Sequence, residues 1–281
     1  MELDLPEHGK SSPLPPYRAV LAVDMENFSR TSGRNQQVIG ALIPGLLEGA
    51  LHRSDLAQVW ENKRFPRHGG DGYVFGTDPK HLPFLISPLL ENLQKELESI
   101  QPLLANLDRE LRMRIRVSID VGPLPDLGED DPVNAMGEAM ISTHRLLDSE
   151  PVRTELMRTD PDTTLVAGIV SRRVYEDVVL GGFTPVNPSR WRQVNATVGS
   201  KSFQAEGYLF VPTPSWGPNT VNGGEGRPDN PQLLEAQGAV PNRTDADTSR
   251  VDNSIGINSG QVVQGGTIHG GVNFGVTSND G

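Results

Sequence analysis

The segment YRAVLAVDMENFS, residues 17–29, sets the interpretation of the rest of the chain. Its apolar run from Ala19 to Val23 has the length of a buried β-strand. A polar cluster that begins at Asp24 ends this run. The pattern therefore predicts a strand that places the carboxylate of Asp24 at its end.

A second segment, AQVWENKRFPRHGGDGYVFG at 57–76, predicts two strands joined by a turn that contains Asp71. If this hairpin neighbours the first strand, Asp24 and Asp71 face one point. Two carboxylates together with phosphate oxygens are ligands that Mg²⁺ or Mn²⁺ prefers, since hard cations take oxygen. The glycines on both sides of Asp71 suit a turn with positive φ and leave room for a triphosphate near the backbone.

Each aspartate taken alone has an ordinary structural explanation. Asp24 is then a helix cap and Asp71 a turn residue, which is how most such residues are used. The two together, each at the appropriate place in the order of elements, favour a site that holds two metal ions. Such ions activate an attacking hydroxyl and stabilise a leaving phosphate.

The remaining patterns predict a mixed α+β fold, because helical and strand periodicities alternate and include an internal hairpin. The predicted order is β-α-β-β-α-β-α-β-α-β-β. After the first strand and the hairpin at 57–76, the predicted helices cover about 35–53, 81–111, 136–156 and 171–179, and the other strands cover 113–122, 164–171 and a closing hairpin at 190–212.

Composition divides the chain into four regions. A flexible leader is predicted at 1–16 and the folded domain at 17–212. Residues 213–250 are rich in Pro, Gly, Asn and Asp, which predicts a disordered linker. Residues 251–281 form a tail rich in Gly, Asn and Val.

The overall composition argues against several classes of function. The net charge of −11 and an aromatic content of 5% disfavour binding to nucleic acid or to anionic membranes. The absence of cysteine excludes disulfides, thiolate zinc sites and cysteine nucleophiles, and it fits a cytoplasmic protein. The N-terminus lacks the features of a secretory signal, and the six histidines show no metal-ligand spacing.

Several short motifs, taken in order, resemble those of class III adenylate and guanylate cyclases. Residues 24–29 resemble the family's D-x-x-G-F-T/S motif. Asn27 stands where the family has glycine, and asparagine tolerates the left-handed region better than most residues. The resemblance covers roughly residues 17–212. The other matches are Gly70-Asp71-Gly72, the R-x-G-x-H-x-G-P-like strand from Arg116 to Pro123, and Gly137 and Arg145 of the following helix.

The resemblance implies a ferredoxin-like catalytic domain in which a mostly antiparallel sheet is flanked by helices. It implies two Mg²⁺ or Mn²⁺ ions on Asp24, Asp71 and the backbone carbonyl of Met25, with Phe28 at the substrate. It also implies a homodimer with composite active sites, the metal ions coming from one subunit and the arginine from the other. The arginine, Arg145, would stabilise transition-state charge. A surface position on a helix is the commoner role of any single arginine such as Arg145. Lys201 falls where the family has a phosphate-contacting lysine, although a surface role is as common for that side chain.

Three departures bear on the base of the nucleotide. Ile141 replaces the asparagine that orients the ribose in the family, while Arg67 and Asn134 replace the lysine and aspartate that read adenine. Both replacements offer donors to the carbonyl oxygens of uracil or cytosine. We therefore expect a UTP or CTP cyclase similar to the pyrimidine cyclases of the Pycsar antiphage systems, which would signal to a cyclic-nucleotide-responsive effector.

Alternative functions stay open at this point. Ile141 favours a catalytically degenerate cyclase-like module that serves in sensing or dimerisation. A purine cyclase that uses ATP or GTP is a further alternative. The turn at 69–73 is also similar to the GGDEF turn of diguanylate cyclases, but the match fails at the glutamate.

The tail forms a separate hypothesis. Residues 253–275 contain two β-prone runs around glycine turns, with no proline and no Asp, Glu, Lys or Arg. Stacked copies could align Asn and Gln side chains in ladders, as in cross-β assemblies. The segment resembles bacterial amyloid signalling motifs, which implies a partner protein with a matching tail. The simpler alternative is a flexible glycine-rich terminus.

A synthetic peptide of residues 250–277 tests this hypothesis. We expect thioflavin-positive fibrils with cross-β diffraction, and we expect Gln264→Lys or Ile268→Asp to prevent them, because a charge cannot stack in register with its own copies. A peptide that stays monomeric at high concentration, even after seeding, would identify the tail as disordered.

Overall fold

One seven-stranded sheet organises the chain. The structure, a computed structural model, describes residues 9–109, 111–128, 131, 133–198 and 201–216, without the side chains of 201–203. The strand order is β2-β3-β1-β4-β5-β7-β6, and every neighbouring pair is antiparallel except β4 and β5. The strands are β1 (Tyr17–Met25), β2 (Arg64–His68), β3 (Gly72–Thr77), β4 (Ile115–Pro123), β5 (Val166–Ser171), β6 (Arg192–Val198) and β7 (Lys201–Phe210).

Helices cover both faces of this sheet. The predicted α+β class and the predicted alternation of strands and helices are both confirmed. The prediction of two strands over 57–76 is wrong at its start, because residues 57–61 form a short helix and the first strand of the hairpin begins only at Arg64. The helices are α1 (Gly33–Arg53), α2 (Ala57–Glu61), α3 (Leu82–Ile86), α4 (Leu89–Leu107), α5 (Glu138–Asp148), α6 (Glu150–Arg158) and α7 (Arg172–Val174), which continues as a π-turn over Tyr175–Leu180.

The predicted helical regions 81–111 and 136–156 are each divided in two. The first breaks between α3 and α4 at Ser87 and Pro88. The second breaks at Ser149, where Pro151 lies in the first turn of α6. Proline is accepted before or within a first turn but removes a hydrogen bond inside a helix, which explains the breaks beside Pro88 and Pro151. Pro44 and Pro102, in contrast, lie inside the uninterrupted helices α1 and α4.

The two central strands are buried on both faces. On one face Ala19, Leu21 and Val23 of β1 pack in the large core cluster together with residues of α1 and α4. On the other face Val20 and Ala22 pack with α5 residues such as Ala139. A strand covered on both sides needs a continuous apolar run rather than an alternating one, which explains the sequence of β1.

The β4 strand differs from β1 on the face covered by α5. Its odd-numbered residues from Ile115 to Val121 join the large core cluster, as their spacing predicts. The alternate positions carry Arg116, Ser118 and Asp120, which are also buried. A buried polar side chain needs a hydrogen-bonding partner, so this face of β4 contains specific contacts as well as packing.

The predicted linker and tail from 217 onwards, and the first eight residues of the leader, lie outside the described residues. Within the described part, no helix is long and apolar enough to cross a bilayer.

Phe75 provides a test of the core. Its side chain is fully buried in β3, with its ring centroid 6.3 Å from that of Trp60 and 6.4 Å from that of Tyr73. We expect Phe75→Ala to lower the free energy of unfolding by about 3–5 kcal/mol, because it leaves a cavity at the centre of the sheet. Urea denaturation measures the change. Phe84→Ala, at a half-exposed ring, should stay within about 0.5 kcal/mol of wild type.

Candidate active site

The turn between β2 and β3 brings Asp71 to the end of β1. Asp24 stands opposite Gly72 in the pairing of β1 with β3, and the backbone N–H of Met25 donates to the carbonyl of Asp71 over 2.9 Å. A Cβ on Gly72 would lie 2.5 Å from the carbonyl oxygen of Val23, so only glycine allows this approach. The pairing of β1 with β3 thus places both aspartates at the same end of the sheet.

Arg116 is the immediate partner of Asp24. The two residues stand opposite each other in the antiparallel pairing of β1 with β4. The Nη2 of Arg116 donates to Oδ2 of Asp24 in an ion pair whose side chains are only 9% and 18% exposed. Burial strengthens such a pair electrostatically, but it also makes either charge costly when the partner is removed.

The surroundings of Asp24 disfavour the ionised form of its carboxyl group. Burial raises its pKa from the usual 3.8 to about 6, against the opposing effect of Arg116. The negative charges of Asp71 and Asp148 raise the pKa further. Asp148 is the last residue of α5, so the negative end of the helix dipole adds to this field. The site therefore favours an additional cation.

Two cavities meet at these carboxylates, and Asp24, Asp71 and Asp148 line both. The hairpin-side cavity has a volume of about 500 Å³ and is lined mainly by residues of β2, β3 and α5. Its other lining residues are Val23, Arg67, His68, Gly69, Gly72, Tyr73, Val74, His144 and Leu147. The loop-side cavity has a volume of about 510 Å³ and is lined by the segment that follows β1. Its other lining residues are Met25, Glu26, Asn27, Phe28, Ser29, Arg30, Arg116, Arg153 and Met157.

A buried ion pair holds the segment that follows β1. Nη1 of Arg114 donates to Oε2 of Glu26 over 3.0 Å, while the backbone N–H of Glu26 donates to the carbonyl of Arg114. Asn27 adopts φ 58°, the left-handed conformation that explains why asparagine can replace glycine here. Phe28 begins a short 3₁₀ turn and packs partly against the core. Met25 and Phe28 thus both line the loop-side cavity.

The other predicted substrate residues are not all brought together. Arg67 lines the hairpin-side cavity, next to His68 and His144. Asn134 is buried, and its Oδ1 accepts a hydrogen bond from the backbone N–H of Leu127 over 3.1 Å. It lines neither cavity, and its described role is to hold the loop between β4 and α5.

The two predicted cationic catalytic residues have different positions. Arg145 is half-buried in the last turn of α5 and is not part of the lining of either cavity. Lys201 begins β7, and its side chain lies outside the described residues. Within one chain, Arg145 is therefore separate from the two cavities at the carboxylates.

Other residues of the site had no motif to reveal them. They are Asp148 and His144 of α5 and Arg153 of α6, whose Nη2 lies 3.1 Å from Oδ1 of Asp148. Partial burial lowers the pKa of His144, and the nearby Arg67 lowers it too, against the effect of Asp148. The helical pattern of this region gave one signal, because it puts residues 144 and 148 on one face of a helix.

The oxygen ligands at this site suit a metal ion whose remaining ligands come from the substrate. Among the described residues, no three His, Asp or Glu side chains form a cluster that could hold an ion by themselves. Asp24 and Asp71 supply carboxylate oxygens, and Met25 adds backbone at the same cavity. Mg²⁺ is commonly held by one or two carboxylates plus substrate phosphates, so this set is adequate for it.

No protein-family model and no curated protein matches the sequence. Several solved structures are similar to this chain. These solved structures are cyclase domains. An adenylate/guanylate cyclase/hydrolase from Silicibacter pomeroyi is 15% identical, with 70% of this chain and 96% of that chain covered and a TM-score of 0.46. The guanylate cyclase domain of RhGC from Catenaria anguillulae, solved with GTP, is 13% identical, with 73% and 100% covered and a TM-score of 0.45.

The adenylyl cyclase CyaB from P. aeruginosa is also similar, at 13% identity, with 69% of this chain and 93% of that chain covered and a TM-score of 0.43. Identities and TM-scores this low leave function to be inferred from the side chains of the site.

The raised pKa of Asp24 can be measured in the metal-free protein. We expect its carboxyl carbon to titrate near pH 6 by NMR. Asp71→Asn should lower the midpoint by removing a negative charge, and Arg116→Gln should raise it. Because folding raises this pKa, the stability that Asp24 contributes is complete below about pH 3.8 and is lost as the pH rises to about 6. A midpoint near 4 would contradict this electrostatic description.

Proposed function

We propose that the protein is a metal-dependent nucleotide cyclase, which converts a nucleoside triphosphate to a 3′,5′-cyclic nucleotide and pyrophosphate. The observation that carries the proposal is the convergence of Asp24 and Asp71 between two cavities of nucleotide size. Two Mg²⁺ or Mn²⁺ ions, when bound there, would activate the 3′-hydroxyl and stabilise charge on the phosphates.

The chain's own residues supply positioning and charge. Asp24, Asp71 and the backbone of Met25 would hold the ions, and the segment from Asn27 to Arg30, which lines the same cavity, would cover the phosphates. Phe28 packs against the core and so fixes this segment beside the carboxylates. Holding the 3′-hydroxyl in line with the α-phosphate accounts for much of the rate acceleration in such reactions.

The position of Arg145 supports a homodimer with composite active sites. Arg145 lines neither cavity of its own chain. In the proposed dimer, the partner subunit brings this arginine to the carboxylates. There it would stabilise negative charge that develops on the transferred phosphoryl group, as would Lys201. Ile141, one helical turn before Arg145, is 44% exposed and is available for contact with a partner.

We propose UTP or CTP as the substrate. Arg67 lines a cavity together with His68 and His144, and its guanidinium offers donors that suit the carbonyl oxygens of uracil or cytosine. Asn134 contributes indirectly, through the loop it holds. The product would be a second messenger in antiphage defence, read by a cyclic-nucleotide-responsive effector, with the tail at 251–281 recruiting a partner of matching sequence.

Incubation of the purified protein with each of the four ribonucleoside triphosphates and Mn²⁺ tests the function. We expect cyclic UMP or cyclic CMP by mass spectrometry, and we expect Asp24→Ala or Asp71→Ala to abolish it because the metal ions are lost. Arg145→Ala should lower kcat more than it changes KM, since its role is confined to the transition state. ATP as the only substrate would contradict the pyrimidine proposal alone.

A mixing experiment serves as the control for the composite site. Asp71→Ala protein, which is inactive, and Arg145→Ala protein, which is slowed, should show more activity when mixed than either has alone, because a heterodimer contains one intact site. Arg158→Ala, which affects an exposed arginine paired with Glu155, should leave activity unchanged. A correctly folded wild type that cyclises none of the four nucleotides would favour the degenerate cyclase-like module.

A further inference from the structure

The edge strand β2 contains one residue more than its partner β3 over the same stretch. Along β3, only Phe75 lies between the residues that pair with Arg64 and Arg67. Along β2, two residues, Phe65 and Pro66, lie between them. Two residues opposite one define a β-bulge. Proline has no N–H to donate and is found in sheets mainly at edges and bulges, so Pro66 suits this position.

The bulge decides on which face of the sheet the side chain of Arg67 lies. Arg67 pairs with Val74, which belongs to the core cluster on the face covered by α5. A regular ladder that continued from the pair Arg64–Gly76 would place Arg67 opposite Tyr73 instead. Tyr73 belongs to the large cluster on the other face, and residues directly opposite each other share a face. A shift by one residue would therefore turn Arg67 away from α5.

The contents of the hairpin-side cavity agree with this orientation. Arg67 lines it together with His144, Leu147 and Asp148 of α5. Burial lowers the pKa of His144, Asp148 opposes this effect, and the positive charge of Arg67 adds to it. The guanidinium thus acts on α5 from the edge strand, across the space in which a base would lie.

Phe65 and Gly76 hold the bulge in its shape. Phe65 is buried and adopts φ 38°, a left-handed conformation that is unfavourable for an aromatic residue. A Cβ added to Gly76 would lie 2.1 Å from Cζ of the Phe65 ring. Because Cζ lies on the axis about which the ring turns, only a movement of the whole ring would relieve this contact. The ring packs in one cluster with Val20 and Ala135, and this packing supports the unfavourable backbone.

We propose that Phe65 and Gly76 are positioning residues, which hold the bulge and thereby direct Arg67 into the hairpin-side cavity, where it contributes to the choice of base. The inference rests on the proposed function for the role of Arg67 at the base, but the orientation of Arg67 does not depend on catalysis. Among the described residues, the lining of this cavity includes neither Phe65 nor Gly76, so both act through Arg67.

NMR titration of His144 in the full, metal-free chain tests the positioning without any turnover. Arg67→Gln should raise the pKa of His144, because it removes a nearby positive charge. Gly76→Ala should raise it as well, since the displaced ring of Phe65 releases the bulge and Arg67 leaves the cavity. The double variant Arg67→Gln/Gly76→Ala should give the same pKa as Arg67→Gln alone, because Gly76 acts only through Arg67.

Steady-state kinetics measure the consequence for the nucleotide. Gly76→Ala should raise KM for UTP or CTP about tenfold with a smaller change in kcat, because the carboxylates and Arg145 are intact. This increase should be absent when Gly76→Ala is added to Arg67→Gln. Gly45→Ala is the matched control, because its added methyl group meets no atom within 4 Å, and both the pKa of His144 and KM should stay unchanged.

A rescue separates positioning from a general loss of structure. Glycine accepts a positive φ and removes the ring that the new methyl group would meet, so Phe65→Gly/Gly76→Ala should return the pKa of His144 to its wild-type value. Circular dichroism checks folding. If Gly76→Ala fails to fold, Phe65→Val replaces it, because a β-branched residue opposes a positive φ without adding a group at 76.

Two results would overturn the inference. One is a pKa of His144 that stays at the wild-type value in Gly76→Ala, and the other is a rise in Gly76→Ala that persists in full when Arg67 is already replaced. Either result would leave the bulge as a feature of the sheet edge alone. The expected pKa pattern in a protein that cyclises no nucleotide would support the positioning of Arg67 while refuting the proposed function.

Discussion

The rest of the structure depends on the position of β1, which is paired on both edges and buried on both faces yet ends in a carboxylate. Pairing with β3 fixes Asp24 against Gly72 and hence against Asp71, and pairing with β4 fixes it against Arg116. Hydrogen-bonded register leaves these side chains little freedom. Because the same ladders that build the core also set the distances in the site, a change of register by one residue would turn Asp24 to the opposite face.

The burial that gives this geometry also creates its electrostatic cost. Asp24 has a raised pKa because water is excluded and because Asp71 and Asp148 are near, and Arg116 offsets only part of the effect. Water would screen these charges and weaken any interaction with a phosphate. The exclusion of water therefore both destabilises the charge on Asp24 and strengthens the interactions that the site can make with a substrate. The neighbouring pair Arg114–Glu26 shows the contrasting case, in which burial is fully matched by hydrogen bonds.

Much of the fold could be predicted from the sequence, because periodicity records which faces are buried. The run from Ala19 to Val23, the glycines around Asp71 and the alternation in β4 are local patterns with local causes. The convergence of Asp148 on Asp24 could not be predicted, since it depends on how α5 lies across β1. The hydrogen bond from Leu127 to Asn134 was also inaccessible, because motif alignment places a residue in the chain but does not say which way it points.

The choice between an enzyme and a degenerate module can be argued from stability. A domain that served only in dimerisation would gain stability from replacing Asp24 and Arg116 by apolar residues of similar volume, as is often found for buried ion pairs. It would also have no use for a third carboxylate, Asp148, or for a buried Nε on Arg116 that has no hydrogen-bond partner in the described part of the chain. Local features that cost stability without helping the fold are expected at functional sites. Ile141, the departure that favours a degenerate module, stands at an exposed position, whereas the unfavourable charges are several and converge on one point. The physical balance therefore favours a working site.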